Sequence, residues 1–194
     1  VAGLCGIVSF IVAPGHIRHA DADPFVMFGE RDNRRSERLP RLQETLVAAG
    51  VNATIPPDIQ HSLWSKLLFI VPTSGIGAVT RATIGVWRAM PATRAMAEAV
   101  LREIVAVAAA GGVALEPDVV ETTMARIDGM PFGATTSMHR DLVQGRPSEL
   151  DAQLGAVVRL GAQRGVATPV TSLLYACLLP QETAARTPPE RTIL

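Results

Sequence analysis

Lysine occurs once in this sequence. All but one of its 18 basic residues are arginine, and the exception is Lys66. On an open surface the two are close to interchangeable, so an isolated lysine points to what arginine lacks: a compact ammonium that can release its proton. At the helical period Ile59, Leu63 and Ile70 fall within about 60° of Lys66, which sets the amine on an apolar stripe. Burial there favours loss of the proton, as a proton-donating or Schiff-base amine requires. A lysine whose stem covers apolar surface while its head reaches water has the same pattern. Glu103 repeats the theme, with Met96, Val100 and Val107 on its face of a helix. It needs a partner, either an arginine inside the bundle or a group at an active site. Ser137 and Asp141 are four apart and share a face, an arrangement that orients polar substrates and also occurs on ordinary surfaces. Glu149 and Asp151 lie in the first turn of a helix, where negative charge complements the helix dipole without any ligand.

Other patterns carry no chemistry. His16, His19, His61 and His139 are scattered and form no metal-ligand spacing. Ser74-Gly75 lacks the strand-elbow pattern of a hydrolase nucleophile, and Thr73 to Gly77 contains a G-x-G with no strand before it. Two cysteines, Cys5 and Cys177, are too few for a disulfide framework or a zinc site, so a reducing, cytoplasmic setting is expected. With 18 acidic residues against 18 basic ones, no net field gathers nucleic acid or an anionic membrane. Hydrophobic residues make up 48% and charged residues 19% of the 194, enough for a substantial core and incompatible with disorder. Val1 to Gly15 and Ile104 to Leu115 are apolar but shorter than the roughly 20 residues of a spanning helix. The first reads as a buried strand ending at Pro14-Gly15.

The elements that must position these residues divide at Pro56-Pro57. Before it lie strands over Gly6 to Ala13, His16 to Ala20 and Pro24 to Phe28, with a turn at Asp21 to Pro24. A helix opened by Ser36 carries Leu39, Leu42, Leu46 and Val47 and ends at Gly50, followed by a strand over Val51 to Ile55. After Pro57 the pattern is helical. Asp58 caps a helix to about Val71, where Pro72 and Gly75 interrupt it, and a Gly/Thr-rich segment continues to about Met90. Helices follow over Thr93 to Ala110, stopped by Gly111-Gly112, then Pro117 to Ile127 and Ser137 to Gln144. Ser148 caps the next, with Asp151 completing a capping box, to Gly165. The last runs from Thr168-Pro169 to about Leu179, and Pro180 opens a polar tail.

Four strings together carry a resemblance: Leu63-Trp64-Ser65-Lys66-Leu67-Leu68-Phe69, Ser137-Met138-His139-Arg140-Asp141, Gly145 to Asp151, and Gly165-Val166-Ala167-Thr168-Pro169. In this order they resemble the ketopantoate reductases (2-dehydropantoate 2-reductases) over roughly Gly29 to Leu179. The resemblance implies an α+β chain: an all-α C-terminal domain of the 6-phosphogluconate dehydrogenase C-terminal-like kind, preceded by the last strands and helix of a truncated Rossmann-type α/β domain. It places the Rossmann remnant at 1–56, the helical domain at 57–180 and a polar tail at 181–194. It implies NADPH as cofactor and reduction of ketopantoate to pantoate, on the route to pantothenate and coenzyme A. Lys66 matches the lysine that protonates the carbonyl oxygen as hydride arrives. Ser137 matches the serine that binds the substrate carboxylate, and Asp141 the acid supporting the cleft. Glu149 matches the acid near cofactor and lysine, and Glu103 a further acid of the helical domain.

Two departures stand out. Ile70 and Ser74 occupy positions where many family members carry asparagines, so Ser74 is the substrate-binding candidate there and the natural substrate could be another 2-keto acid. The glycine-rich dinucleotide turn is also absent, so this chain is expected to hold the substrate and catalytic half and to bind NADPH poorly. A homodimer through the helical domain is expected, with no nucleic-acid or membrane partner. The non-enzymatic alternative is a catalytically inactive helical oligomerisation module.

Overall fold

The computed structural model describes residues 1–19 and 23–187. The chain forms two compact units, one of Val1–Trp64 and one from Ser65 onward.

In the first unit, β1 (Ala2–Gly6) leads to a hairpin of β2 (Ser9–Ala13) and β3 (His16–His19), then to β4 (Phe25–Gly29), α1 (Arg38–Ala48) and β5 (Asn52–Thr54). β1 and β5 flank β4, β1 antiparallel and β5 parallel to it. The β4–α1–β5 crossover is the strand–helix–strand unit expected from the sequence. Phe28, Leu39 and Ala53 form its core, with Val26, Leu46 and Ile55 against them. Leu42 and Val47, expected on the same stripe, are exposed.

The N-terminal apolar stretch is two strands rather than one. β1 pairs with β4 until Gly6 meets Phe25, whose ring fills the space a side chain at 6 would need. The chain then leaves the sheet, and β2 pairs only with β3 through the Pro14-Gly15 turn, where Gly15 takes φ +74. β2 is exposed at every position instead of buried; apolar composition says that a strand is favoured but not that anything covers it. Ala20, the expected end of the strand from His16, and Asp21 and Ala22 of the expected turn lie outside the described residues.

Glu30, just past β4, is 4% exposed. It accepts hydrogen bonds from Ser36 Oγ at 2.6 Å and from Arg38 Nε and Nη2 at 2.6 and 2.5 Å. The Arg38 and Ser36 bonds pull its carboxyl down to about 2. As expected, Asp58 caps the next helix, accepting from the His61 N–H at 3.0 Å and from Asn33 Nδ2 at 2.8 Å.

That helix, α2 (Ile59–Thr80), runs straight through Pro72 instead of ending at Val71. Leu68, Val71, Thr73, Ser74 and Ile76 are at most 1% exposed. Burying such residues, at ~1.5–3 kcal/mol per large apolar side chain, outweighs the ~3 kcal/mol cost of an internal proline. Gly75 is a packing glycine, not a breaker: a β-carbon there would stand 3.0 Å from Leu154 Cδ2 and 3.5 Å from Leu174 Cδ1. By length and composition α2 is sufficient to cross a membrane, yet 56% of its apolar window is buried inside the protein, as in a core helix.

Arg81, at φ +54, breaks the chain before α3 (Ile84–Arg88), so the segment expected to run to Met90 is two helices. α4 (Pro91–Ala110), α5 (Val119–Asp128) and α6 (Ser137–Val143) follow, then a π-helical turn (Asp151–Gly155), α7 (Ala156–Gln163) and α8 (Pro169–Arg186). Gly112 at φ +79 follows the end of α4, as expected of a stop glycine. Val100, Leu101, Ile104 and Val107 of α4 are fully buried.

Helix ends are satisfied by arginines and acids from elsewhere in the bundle. Arg88 Nη1 donates to the carbonyls of Ile127 and Met130, both at 2.7 Å, at the end of α5. Arg164 Nη1 donates to Val107 O at 2.7 Å near the end of α4. Val107 O and Ile127 O each accept one N–H from their own helix end, from Gly111 and Met130 at 3.2 Å, and the planar multi-donor guanidinium supplies a second donor to these end-of-helix carbonyls.

The expected capping box at Ser148 forms with a different acid. Ser148 Oγ accepts from the Leu150 N–H at 3.2 Å, but Asp151 turns away to Arg159 and Tyr175. Buried Glu182 of α8 replaces it, accepting from the Ser148 N–H at 3.1 Å and from Ser148 Oγ at 2.5 Å. Arg186 Nε donates to Glu182 at 2.6 Å, and its Nη2 to Ser148 O at 2.7 Å. Burial opposes ionisation of Glu182, but the Ser148 and Arg186 bonds prevail and hold its carboxyl below the usual range. This lock carries α8 through Pro180 to Arg186, past the expected end at Leu179. The start of the expected polar tail is therefore helical, and residues 188–194 lie outside the described ones.

Candidate active site

Lys66 lies in the second turn of α2 and is half-buried, as are Leu63 and Ile70 beside it. Lys66, Ile70 and Ser74 recur at i, i+4 and i+8, so they share one face. Ser74 is 1% exposed and sits in the bundle interior, beside the Gly75 contact with Leu154.

α6 begins at Thr136, whose side chain accepts from the His139 N–H at 3.2 Å. This cap places Ser137 at the exposed first position of the helix. Asp141, one turn on, is half-buried and accepts from Arg146 Nε at 3.0 Å and Nη2 at 2.6 Å. The Arg146 N–H also donates to Asp141 O at 2.9 Å. Asp141 thereby fastens the 145–148 loop to α6 and fixes where the next acid emerges. That acid, Glu149, is exposed and accepts from Gln153 Nε2 at 2.9 Å through Oε2.

Two contacts bring α6 and the π-helical turn to the C-terminal half of α2. Leu154 meets Gly75, and His139 Nδ1 would stand 3.0 Å from a β-carbon at Gly77. Ser137, Asp141 and Glu149 are thus carried on segments that converge near residues 75–77. Lys66 stands nine residues from Gly75, about 13 Å along the same helix at 1.5 Å per residue.

Glu103 is apart from this convergence. Its carboxylate accepts from the N–H groups of Val170 at 2.7 Å and Thr171 at 2.9 Å, and from Thr171 Oγ1 at 2.6 Å. These are orphan donors at the start of α8, so the partner that burial demanded is a helix N-terminus rather than an arginine.

Three further buried polar residues of this unit were not singled out as functional from the sequence. His139 is 7% exposed, and burial with the nearby Arg140 charge holds its imidazole below the usual value. Gln153 is 6% exposed; its i, i+4 relation to Glu149 was the available signal. Glu182 was hidden by the expectation that Pro180 ends α8. A cavity of about 380 Å³ opens within the first unit, lined by Glu30, Arg34, Arg35, Leu39 and Pro57 among others. None of the candidate residues lines it, so the chemistry of the side chains locates the site.

Residues 58–182 match the model of the ketopantoate reductase PanE/ApbA C-terminal domain. The chain belongs to the ketopantoate reductase family. Its relatives include the uncharacterized oxidoreductase YkpB of Bacillus subtilis, 30% identical over 178 residues, covering 92% of this chain and 59% of that protein. The 2-dehydropantoate 2-reductase of Mesorhizobium japonicum is 36% identical over 166 residues, covering 84% of this chain and 49% of the relative. The solved 2-dehydropantoate 2-reductase of Methylococcus capsulatus superposes with a TM-score of 0.82 at 29% identity, over 96% of this chain and 59% of that one. This family member therefore spans roughly half to three-fifths of the length of the relatives it matches. The ketopantoate reductases are oxidoreductases, and the helical unit described above is their C-terminal domain.

Proposed function

We propose that this chain carries the substrate-facing and catalytic half of an NADPH-dependent reductase that converts 2-dehydropantoate to pantoate in pantothenate and coenzyme A biosynthesis. The observation that carries the reading is the position of Lys66: the sole lysine, half-buried on the apolar stripe of α2, inside the matched family domain. Hydride delivered to the carbonyl carbon leaves charge on its oxygen, and the Lys66 ammonium supplies the proton that neutralises it. Ser137 hydrogen-bonds the substrate carboxylate from the first position of α6, and Asp141 holds the loop that presents Glu149. NADPH, when bound, supplies the hydride. Glu149 is an acceptor exposed at its Gln153-supported end, suited to the hydroxyl and amide donors of a nicotinamide riboside. The phosphates need a glycine-rich turn of the kind this sequence lacks.

The domain assignment follows: a Rossmann remnant over 1–56, a helical catalytic domain over 57–180, and a homodimer formed through the helical domain, in the cytoplasm. A second reading, a reductase of another 2-keto acid, is favoured by Ile70 and the buried Ser74. They leave α2 without the two amides that many family members present on this face. The test is NADPH oxidation by the full gene product, followed at 340 nm across a panel of 2-keto acids. Reduction of ketopantoate above all others supports the first reading. Preference for a different keto acid supports the second, and no oxidation with any of them contradicts both.

A further inference from the structure

Gln153 is a polar residue in an apolar place. It sits at the centre of the π-helical turn, 6% exposed, with Leu154 and Leu150 fully buried on either side. Its Nε2 donates to Glu149 Oε2 at 2.9 Å, and its backbone N–H to Glu149 O at 2.9 Å. Its Oε1 is buried and has no hydrogen-bond partner among the described residues. Rotating the amide by 180° would satisfy nothing, because it would set the amide oxygen against the Glu149 carboxylate. The orphaned acceptor is therefore imposed by the bond to Glu149.

A buried acceptor without a partner destabilises a fold, and an apolar side chain of equal size would not. Single π-helical turns are rare and gather at functional sites. Here both features converge on one exposed carboxylate. Glu149 is otherwise free to swing, since among the described residues no arginine or lysine pairs with its carboxylate and Gln153 is its side-chain partner. We infer that Gln153 is a positioning residue, retained against local stability because it fixes the Glu149 carboxylate where a bound dinucleotide meets it. This rests on the reading of Glu149 as the cofactor-contacting acid.

The experiment compares wild-type full gene product with Gln153→Met, which matches the side chain in length without a donor or acceptor, and with Gln153→Leu in case the first repacks poorly. Glu149→Ala and the double variant Glu149→Ala/Gln153→Met complete the cycle. The expected result has two parts. At least one of the two Gln153 variants raises Tm by roughly 2–4 °C, the shift that about 1 kcal/mol from a removed buried polar defect gives a domain of roughly 150–250 residues. The same variant raises KM for NADPH about tenfold, the scale of one lost charge-assisted hydrogen bond, while kcat changes less. Gln153→Met adds nothing once Glu149 is alanine. A merely structural glutamine would lower Tm and leave the KM-to-kcat balance alone. An unchanged KM in both Gln153 variants, with KM raised in Glu149→Ala, overturns the positioning role and leaves the reading of Glu149 standing. An unchanged KM in Glu149→Ala overturns that reading and the inference with it. A lower Tm in both Gln153 variants refutes the claim that the buried amide is held at a loss.

Discussion

Replacing Glu103 by alanine removes the group that holds the start of α8. Three hydrogen bonds go with it: two from backbone N–H groups, at 2.7 and 2.9 Å, and one from the Thr171 hydroxyl at 2.6 Å. Bonds to a charged acceptor contribute ~1.5–3 kcal/mol each, and loss of a helix cap costs about 0.5–2 kcal/mol. The three share one carboxylate and are not additive, and water reaches the half-buried site once the side chain is gone. Thr171, fully buried, keeps an unmatched hydroxyl. The expected destabilisation is therefore about 2–4 kcal/mol for Glu103→Ala. Glu103→Gln keeps one acceptor oxygen but not the charge, and about half that loss is expected. Urea unfolding followed by far-UV circular dichroism reports the helical unit directly. The same variants, assayed well below their midpoints, should keep their turnover per folded molecule. A loss under about 0.5 kcal/mol for Glu103→Ala would refute the capping argument. A stable variant with collapsed turnover would return Glu103 to the active site.

Further consequences concern packing and pH. Gly161→Ala would set a β-carbon 2.8 Å from the backbone oxygen of Val166, which cannot step aside. It should lose about 1–3 kcal/mol despite alanine's better helix propensity, whereas Gly129→Ala, with nothing nearer than 3.5 Å, should be neutral within about 0.5 kcal/mol by denaturant unfolding. The carboxyl of Glu30, lowered from 4.5 to about 2 by Arg38 and Ser36, contributes stability that is present above pH 4.5 and lost as pH falls toward 2. The stability difference between wild type and Glu30→Gln should accordingly shrink across that window, and a difference constant from pH 7 to 2 would contradict the assignment.

The helical part of the fold was legible because its apolar residues recur at 3.6 and its stops are glycines, as at Gly112. The errors share a cause. Pro72 and Pro180 read as terminators from local propensity, but tertiary contacts keep both helices going: Leu154 and Leu174 against Gly75 in one case, the Glu182–Ser148–Arg186 lock in the other. Likewise, Ser148 announced a cap correctly while its acid came from 34 residues away instead of three. No local pattern encodes such a partner. The excess of arginine, legible as a count, acquires a reason in Arg88 and Arg164, which reach across to close the ends of other helices. Among the candidate site residues, the face carrying Lys66 and the sharing of α6 by Ser137 and Asp141 could be read from spacing alone. Burial of Ser74, engagement of Glu103 with α8 and the support of Glu149 by Gln153 required coordinates, because each depends on what a neighbouring helix presents.

The most direct measurement is the steady-state reduction of 2-keto acids by the full gene product carrying Lys66→Ala, alongside wild type and with folding checked by circular dichroism. If the Lys66 ammonium protonates the carbonyl oxygen, kcat falls by about 100-fold or more with the fold intact. A correctly folded Lys66→Ala protein that turns over its keto acid at the wild-type rate contradicts the account.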